Sequence, residues 1–259
     1  MPTKKYTAIV LDLFDTIVKW DPELLPLYQF QGREFRSTVP WFIERLKEAL
    51  DNEAFRGRLD HEAAIAVYFE VLKELHNLRE RDMVEITCHE RFARMLTRLE
   101  YGSDAEIAEF AHELRTLHMT GVRRVTAAPP QRVAAVKQIA GDYRLGLLSN
   151  FDDAETGLQI VHDTGLAPLF EAIIISAEVG LRKPNPKIFH QIAAMMHLEP
   201  REILFVGDTP RFDITGPHQV GMGTVWLNDG KEPLTPDIPD PDFIIKDLTE
   251  LPALLKTLE

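Results

Sequence analysis

Apolar positions fall in two different rhythms along this chain, and the change between them divides it. Near the start, Ile9, Val10 and Leu11 form a short apolar run, rich in β-branched residues, that ends abruptly in Asp12. Such a run predicts a fully buried parallel strand over residues 6–12 whose last residue reaches the edge of the sheet. From there to about residue 120 the spacing turns helical. Ala64, Val67, Tyr68, Val71, Leu72 and Leu75 share one face behind Asp60 as a cap, over 60–78. Ile107, Phe110, Ala111, Leu114 and Leu117 do the same behind the capping box Ser103-Asp-Ala-Glu106. Residues 39–50 and 84–99 predict two more helices, and the four faces can bury one another as a small bundle.

After Pro129-Pro130, which suits a helix start, the rhythm alternates. A helix carrying Val133, Val136 and Ile139 is followed by apolar strands predicted at 143–148, 172–175, 203–206, 223–227 and 243–245, with helices between. That alternation predicts an α/β fold with a parallel sheet covered on both faces. The Pro-rich stretch 233–241 reads as a surface loop before the last strand.

Charge narrows the classes of partner. The 29 Lys and Arg residues face 41 Asp and Glu, a formal charge of -12, which argues against nucleic-acid or anionic-membrane surfaces. A small anionic substrate stays open, because one lysine and one cation can reverse the field within a pocket. Cys88 is the only cysteine. No stretch approaches the roughly 18 apolar residues of a membrane span, and the start Met-Pro-Thr-Lys-Lys-Tyr has no apolar signal core, so a soluble, cytoplasmic protein is expected.

Parallel sheets bind ligands beyond the carboxyl ends of their strands, and four of the predicted strands lead into a candidate polar group. Asp12 ends the first, and Ser149-Asn150 follow Leu145–Leu148. Arg182-Lys183-Pro184 come a few residues after Ile173–Ile175, and Gly207-Asp208 follow Ile203–Val206 with Asp213 beyond. Taken singly, each has a plain structural reading: turn, helix cap or exposed lysine.

The order Asp, Ser, Lys, Gly-Asp and Asp resembles the haloacid dehalogenase-like hydrolase superfamily, over most of the chain outside residues 20–125. The resemblance implies a Rossmann-like core, residues 1–19 and 123–259, with a helical cap, residues 20–122, inserted after the first motif. In that family the cap closes over the site, excluding water and choosing the substrate. Carried over residue by residue, Asp12 is the nucleophile that forms an aspartyl-phosphate. Lys183 bridges nucleophile and phosphoryl oxygens, Ser149 and groups near Asn150 donate to the transferring group, and Thr16 holds the turn. Asp12, the backbone carbonyl of Phe14 and Asp208 are the metal ligands, with Asp213 holding the metal's waters. An all-oxygen set of this kind suits Mg²⁺.

Phe14 departs from the phosphatase pattern. Family phosphatases place there a second Asp that protonates the leaving group; an aromatic is a feature of the family's dehalogenases. Those enzymes generally lack a metal and the Gly-Asp pattern retained here at Asp208. The expectation is therefore a magnesium-dependent phosphatase acting on a small phosphorylated metabolite, with two alternatives: a haloacid dehalogenase-type hydrolase, or a catalytically impaired ligand-binding member. The insert's histidines, His61, His76, His89, His112 and His118, show no metal-ligand spacing and are expected at the surface.

Overall fold

The computed structural model describes residues 5–51, 61–230 and 234–258. In chain order the strands are β1 (Ala8–Leu11), β2 (Lys19–Trp20), β3 (Leu27–Phe30), β4 (Arg33–Arg36), β5 (Thr126–Ala127), β6 (Arg144–Ser149), β7 (Phe170–Ile175), β8 (Ile203–Gly207), β9 (Gly223–Leu227) and β10 (Phe243–Ile245). Six of them form one sheet in the order β10-β9-β8-β1-β6-β7, parallel at every pairing described.

β1 lies between β6 and β8 and is buried on both faces. Ile9 and Leu11 enter one core with Leu145, Leu147, Leu204 and Val206. Ala8 and Val10 enter the other with Leu148, Ile188, Phe189, Ile192 and Phe205. A strand that must be apolar on both faces reads as a continuous run, which is why its sequence does not alternate. The register pairs Leu11 with Leu147 on one side and Val206 on the other, so the three strands end within two residues of one another. Polar residues just past those ends share one edge of the sheet, at the point where successive strands leave to opposite sides.

Two compact units divide the chain: residues 1–20 with 127–259, and residues 21–126. The second contains α1 (Ile43–Leu50), α2 (His61–Asp82), α3 (Cys88–Arg98) and α4 (Asp104–Arg124). α1 is shorter than the pattern over 39–50 implied, because Val39–Trp41 form a turn of tighter helix around Pro40 and Phe42 breaks the angle at φ -127°. α3 begins at Cys88 rather than 84. Met83, at φ 51°, ends α2, and Thr87 caps α3 by accepting from the Glu90 N–H at 3.1 Å. The capping box at Ser103 forms as its spacing predicts. Asp60 lies outside the described residues.

Two features of this unit depart from the sequence reading. β3 and β4 form an antiparallel hairpin, so the insert is not helical throughout. Its turn is Gln31-Gly32, both at positive φ (48° and 72°), the conformation that two-residue hairpins require and that glycine accommodates. His118 is buried rather than at the surface. Its ring lies 6.1 Å from Phe42 and 5.8 Å from Phe92, and its Nε2 is 3.2 Å from the Arg91 guanidinium. It occupies the apolar face of α4, one turn from Leu114 and Val122, where the helical period carries it inward.

The first unit adds α5 (Pro130–Ile139), α6 (Ala154–Asp163), α7 (Ser176–Val179), α8 (Pro186–Met195), α9 (Pro210–Asp213), α10 (Thr215–Val220) and α11 (Leu251–Lys256). Residues 234–241 carry neither helix nor strand. No helix among the described residues is long and apolar enough to cross a membrane.

Candidate active site

Asp12 is the first residue past β1, and its N–H continues the ladder by donating to the Val206 carbonyl at 2.9 Å. That bond fixes the direction of a carboxylate that is only 6% exposed. Lys183 comes from the loop after α7, which leaves that helix through Gly180 at φ 69°. Asn150 anchors it: the Asn150 side chain accepts from the Lys183 N–H at 2.8 Å and donates to its carbonyl at 3.0 Å. So held, Lys183 buries its whole side chain and donates from Nζ to Asp12 Oδ1 and to Asp213 Oδ1, each at 2.6 Å. Its ammonium also lies 5.3 Å from the centre of the Phe205 ring.

Asp213 ends α9, whose first residue is Pro210. Its second oxygen accepts from the Thr209 N–H at 3.0 Å. The carboxylate packs so closely on β8 that a Cβ at Gly207 would lie 2.3 Å from its Cγ, so the glycine there is a steric requirement. Asp208 follows, half-buried, with its carbonyl accepting from Trp226 Nε1 at 3.0 Å.

Carboxylate oxygens of Asp12, Asp208 and Asp213 lie within 4.8 Å of one another. One ammonium does not balance three carboxylates, and the ionisation of the group reflects it. Burial and the charge of Asp213 outweigh Lys183 and push Asp12 up to about 6. Burial, then Asp12 and Asp213, push Asp208 up to about 8. Lys183 moves the other way: burial opposes its charge, but the two carboxylates raise its pKa. A cluster of hard oxygen donors that ionises reluctantly by itself fits a divalent cation such as Mg²⁺, which would supply the missing positive charge.

The remaining sequence-predicted residues divide. Ser149 ends β6 fully buried, and its Oγ has no hydrogen-bond partner among the described residues. An orphaned buried hydroxyl costs about 1–3 kcal/mol unless something else engages it. Thr16 Oγ1 is in the same condition. Asn150 is taken up by the Lys183 backbone, while still bordering a cavity of about 180 Å³ with Asp12, Phe14, Arg182, Lys183 and Asp208. Phe14 forms an apolar wall there, its ring 4.9 Å from that of Phe151. A second cavity, of about 280 Å³, shares Asp15 and Asp208 and is walled by Trp226, Asn228 and Asp229. Sequence reasoning missed Gly207 as a packing requirement, Trp226 as the partner of the Asp208 carbonyl, and Arg132, which binds the turn after β1. Gly207 could have been found in the Val-Gly-Asp run; Arg132 could not, since its partners are more than a hundred residues distant.

The family model of the haloacid dehalogenase-like hydrolases matches residues 6–221. The chain belongs to that family. It is a hydrolase of the haloacid dehalogenase-like superfamily, with the parallel-sheet core that its motifs imply. Among curated relatives, N-acylneuraminate-9-phosphatase of Mus musculus is 34% identical over 128 residues, 49% of this chain and 51% of that protein. The match to this relative and to its rat and human counterparts thus spans about half their length. Among solved structures, 2-haloacid dehalogenase from Pseudomonas syringae pv. Tomato superposes with a TM-score of 0.70 at 22% identity, covering 98% of this chain and 100% of that one. Magnesium-bound YfnB from Bacillus subtilis gives 0.61 at 22% identity, covering 97% and 99%. At these identities the structural neighbours establish the fold of this haloacid dehalogenase-like hydrolase.

Proposed function

We propose that this hydrolase is a magnesium-dependent phosphatase that cleaves a small phosphate ester through an aspartyl-phosphate on Asp12. The observation that carries the reading is the ammonium of Lys183, 2.6 Å from both Asp12 and Asp213, in a cluster with Asp208 that needs a cation to ionise fully. The phosphatase names among the curated relatives support it. In this reading Asp12, the Phe14 carbonyl and Asp208 hold Mg²⁺, with Asp213 acting through water. Bound there, the ion would neutralise both the attacking carboxylate and the phosphoryl oxygens.

An oxygen of Asp12 attacks phosphorus, forming the acyl-phosphate bond as the ester P–O bond breaks and its electron pair leaves on the departing oxygen. Lys183 and Ser149 donate to the phosphoryl oxygens as their charge rises. Water then attacks the same phosphorus, its protons passing to solvent and phosphate, and Asp12 departs as a free carboxylate. Phe14 cannot give the leaving oxygen its proton, so the reading favours substrates whose leaving group is already stable. The insert, residues 20–122 by sequence and 21–126 by compactness, is the cap that selects the substrate.

Purified protein and an aryl phosphate, with and without magnesium, test this. Magnesium-dependent phosphate release that falls to background in Asp12→Asn is expected; no release, or release indifferent to both, overturns it. One observation favours a second reading, dehalogenation: Phe14, backed by the Phe151 ring, gives the cavity an apolar wall where a phosphatase acid would stand. Halide release from a 2-haloacid without magnesium would establish it instead.

A further inference from the structure

The turn after β1 is gripped by a buried arginine outside every motif. Arg132, on α5 and 3% exposed, donates from Nη1 to the carbonyls of Asp15 at 2.5 Å and Thr16 at 2.7 Å. Its Nε and Nη2 both donate to Asp247 Oδ2, at 2.9 and 2.7 Å. Asp247 is itself set by the Thr249 N–H, which donates to its other oxygen at 3.0 Å. The fork thus joins the first turn of the chain to the segment before the last helix.

The carbonyls around it show what is held. Leu13 accepts from the N–H groups of Ile17 and Val18, and Asp15 and Thr16 accept from Arg132. Among the described residues the Phe14 carbonyl, between them, has no donor. Asp15 sits at φ 56°, in the left-handed region that Asp enters more readily than most residues with a Cβ. A planar guanidinium can address two carbonyls and a carboxylate at once, which an ammonium cannot do with fixed geometry.

We infer that Arg132, seated by Asp247, is a positioning residue for cation binding: by holding the Asp15 and Thr16 carbonyls it fixes the peptide that presents the Phe14 carbonyl beside Asp12. The inference rests on the magnesium-dependent reading above. Groups that orient metal ligands without touching the metal are typically worth about 10- to 100-fold in metal affinity.

The test uses the full chain and three variants, Arg132→Met, Arg132→Lys and Asp247→Asn, with two readouts. One is the rise in melting temperature on titration with magnesium; the other is kcat and KM for an aryl phosphate across the same range. The arginine variants should need about tenfold or more magnesium to reach half of either effect, with KM at saturating magnesium within about twofold of wild type. Asp247→Asn, which leaves the guanidinium in place, should fall between. Variants that melt earlier but keep the wild-type magnesium midpoint overturn the inference and leave Arg132 a purely structural tie. Should Arg132→Met not fold, the other two decide by the same comparison. A wild type that neither responds to magnesium nor releases phosphate overturns the reading of the site itself, before any variant is compared.

Discussion

Lys183 stands with its ammonium between two buried carboxylates, held by Asn150 through the backbone and by Phe205 beneath, and it is the only cation within hydrogen-bond reach of Asp12 among the described residues. Replacing it by methionine keeps the bulk and removes the charge, leaving Asp12 and Asp213 facing each other. Breaking such a buried pair costs about 3–5 kcal/mol, so Lys183→Met should lower the metal-free unfolding free energy by that order in urea titrations. Magnesium should recover part of the loss of stability but not phosphate release. Phe14 poses the opposite experiment. A positioned acid contributes about 10²- to 10⁴-fold, so Phe14→Asp should raise kcat/KM for an alkyl phosphate by that order while changing the aryl phosphate far less. An equal effect on both substrates would mean that the new carboxylate does not protonate the leaving group.

At the scale of elements, the site exists because β1, β6 and β8 end within two residues of one another and α9 folds straight back onto the end of β8. Gly207 is where that return is tightest, 2.3 Å from Asp213 Cγ to an added Cβ, with backbone of the central sheet behind it. Gly207→Ala must move Asp213 or the strand. Overpacking of this kind costs about 1–3 kcal/mol, and the accompanying displacement of Asp213 should weaken the magnesium midpoint as well. Measuring both separates local strain, which lowers only the melting temperature, from displacement of the carboxylate. The helices of the insert show how local signals perform when no site is involved. Ser103-Asp-Ala-Glu106 caps α4 as its spacing implies, because every partner lies within one turn. The starts of α1 and α3 came out later than their apolar periodicity implied, because Pro40, Phe42 and Thr87 decide them through backbone angles and caps that hydrophobic spacing does not report.

For the molecule as a whole, the acidic cluster links stability to pH and metal. Asp12 and Asp208, raised to about 6 and about 8, hold protons in the folded protein that the unfolded chain, at 3.8, has already released. Their contribution is therefore complete below about pH 4 and is lost as pH rises through those values in metal-free protein. Magnesium replaces the protons, so the gap between urea midpoints in magnesium and in chelator should widen from about pH 5 to about pH 8. A constant gap would contradict this. Much of this molecule is readable in one dimension: the buried strands, their parallel arrangement, and Asp12, Ser149 and Asp208 at their ends with Lys183 and Asp213 shortly beyond. Apolar runs and motif spacings are local, and a parallel sheet turns strand ends into neighbours by rule. Only the tertiary structure decided that Asn150 grips Lys183 and that Arg132 ties Asp15 and Thr16 to Asp247. Such partners are far apart in the chain, and hydrogen-bond geometry, unlike hydrophobic period, leaves no repeating trace along it.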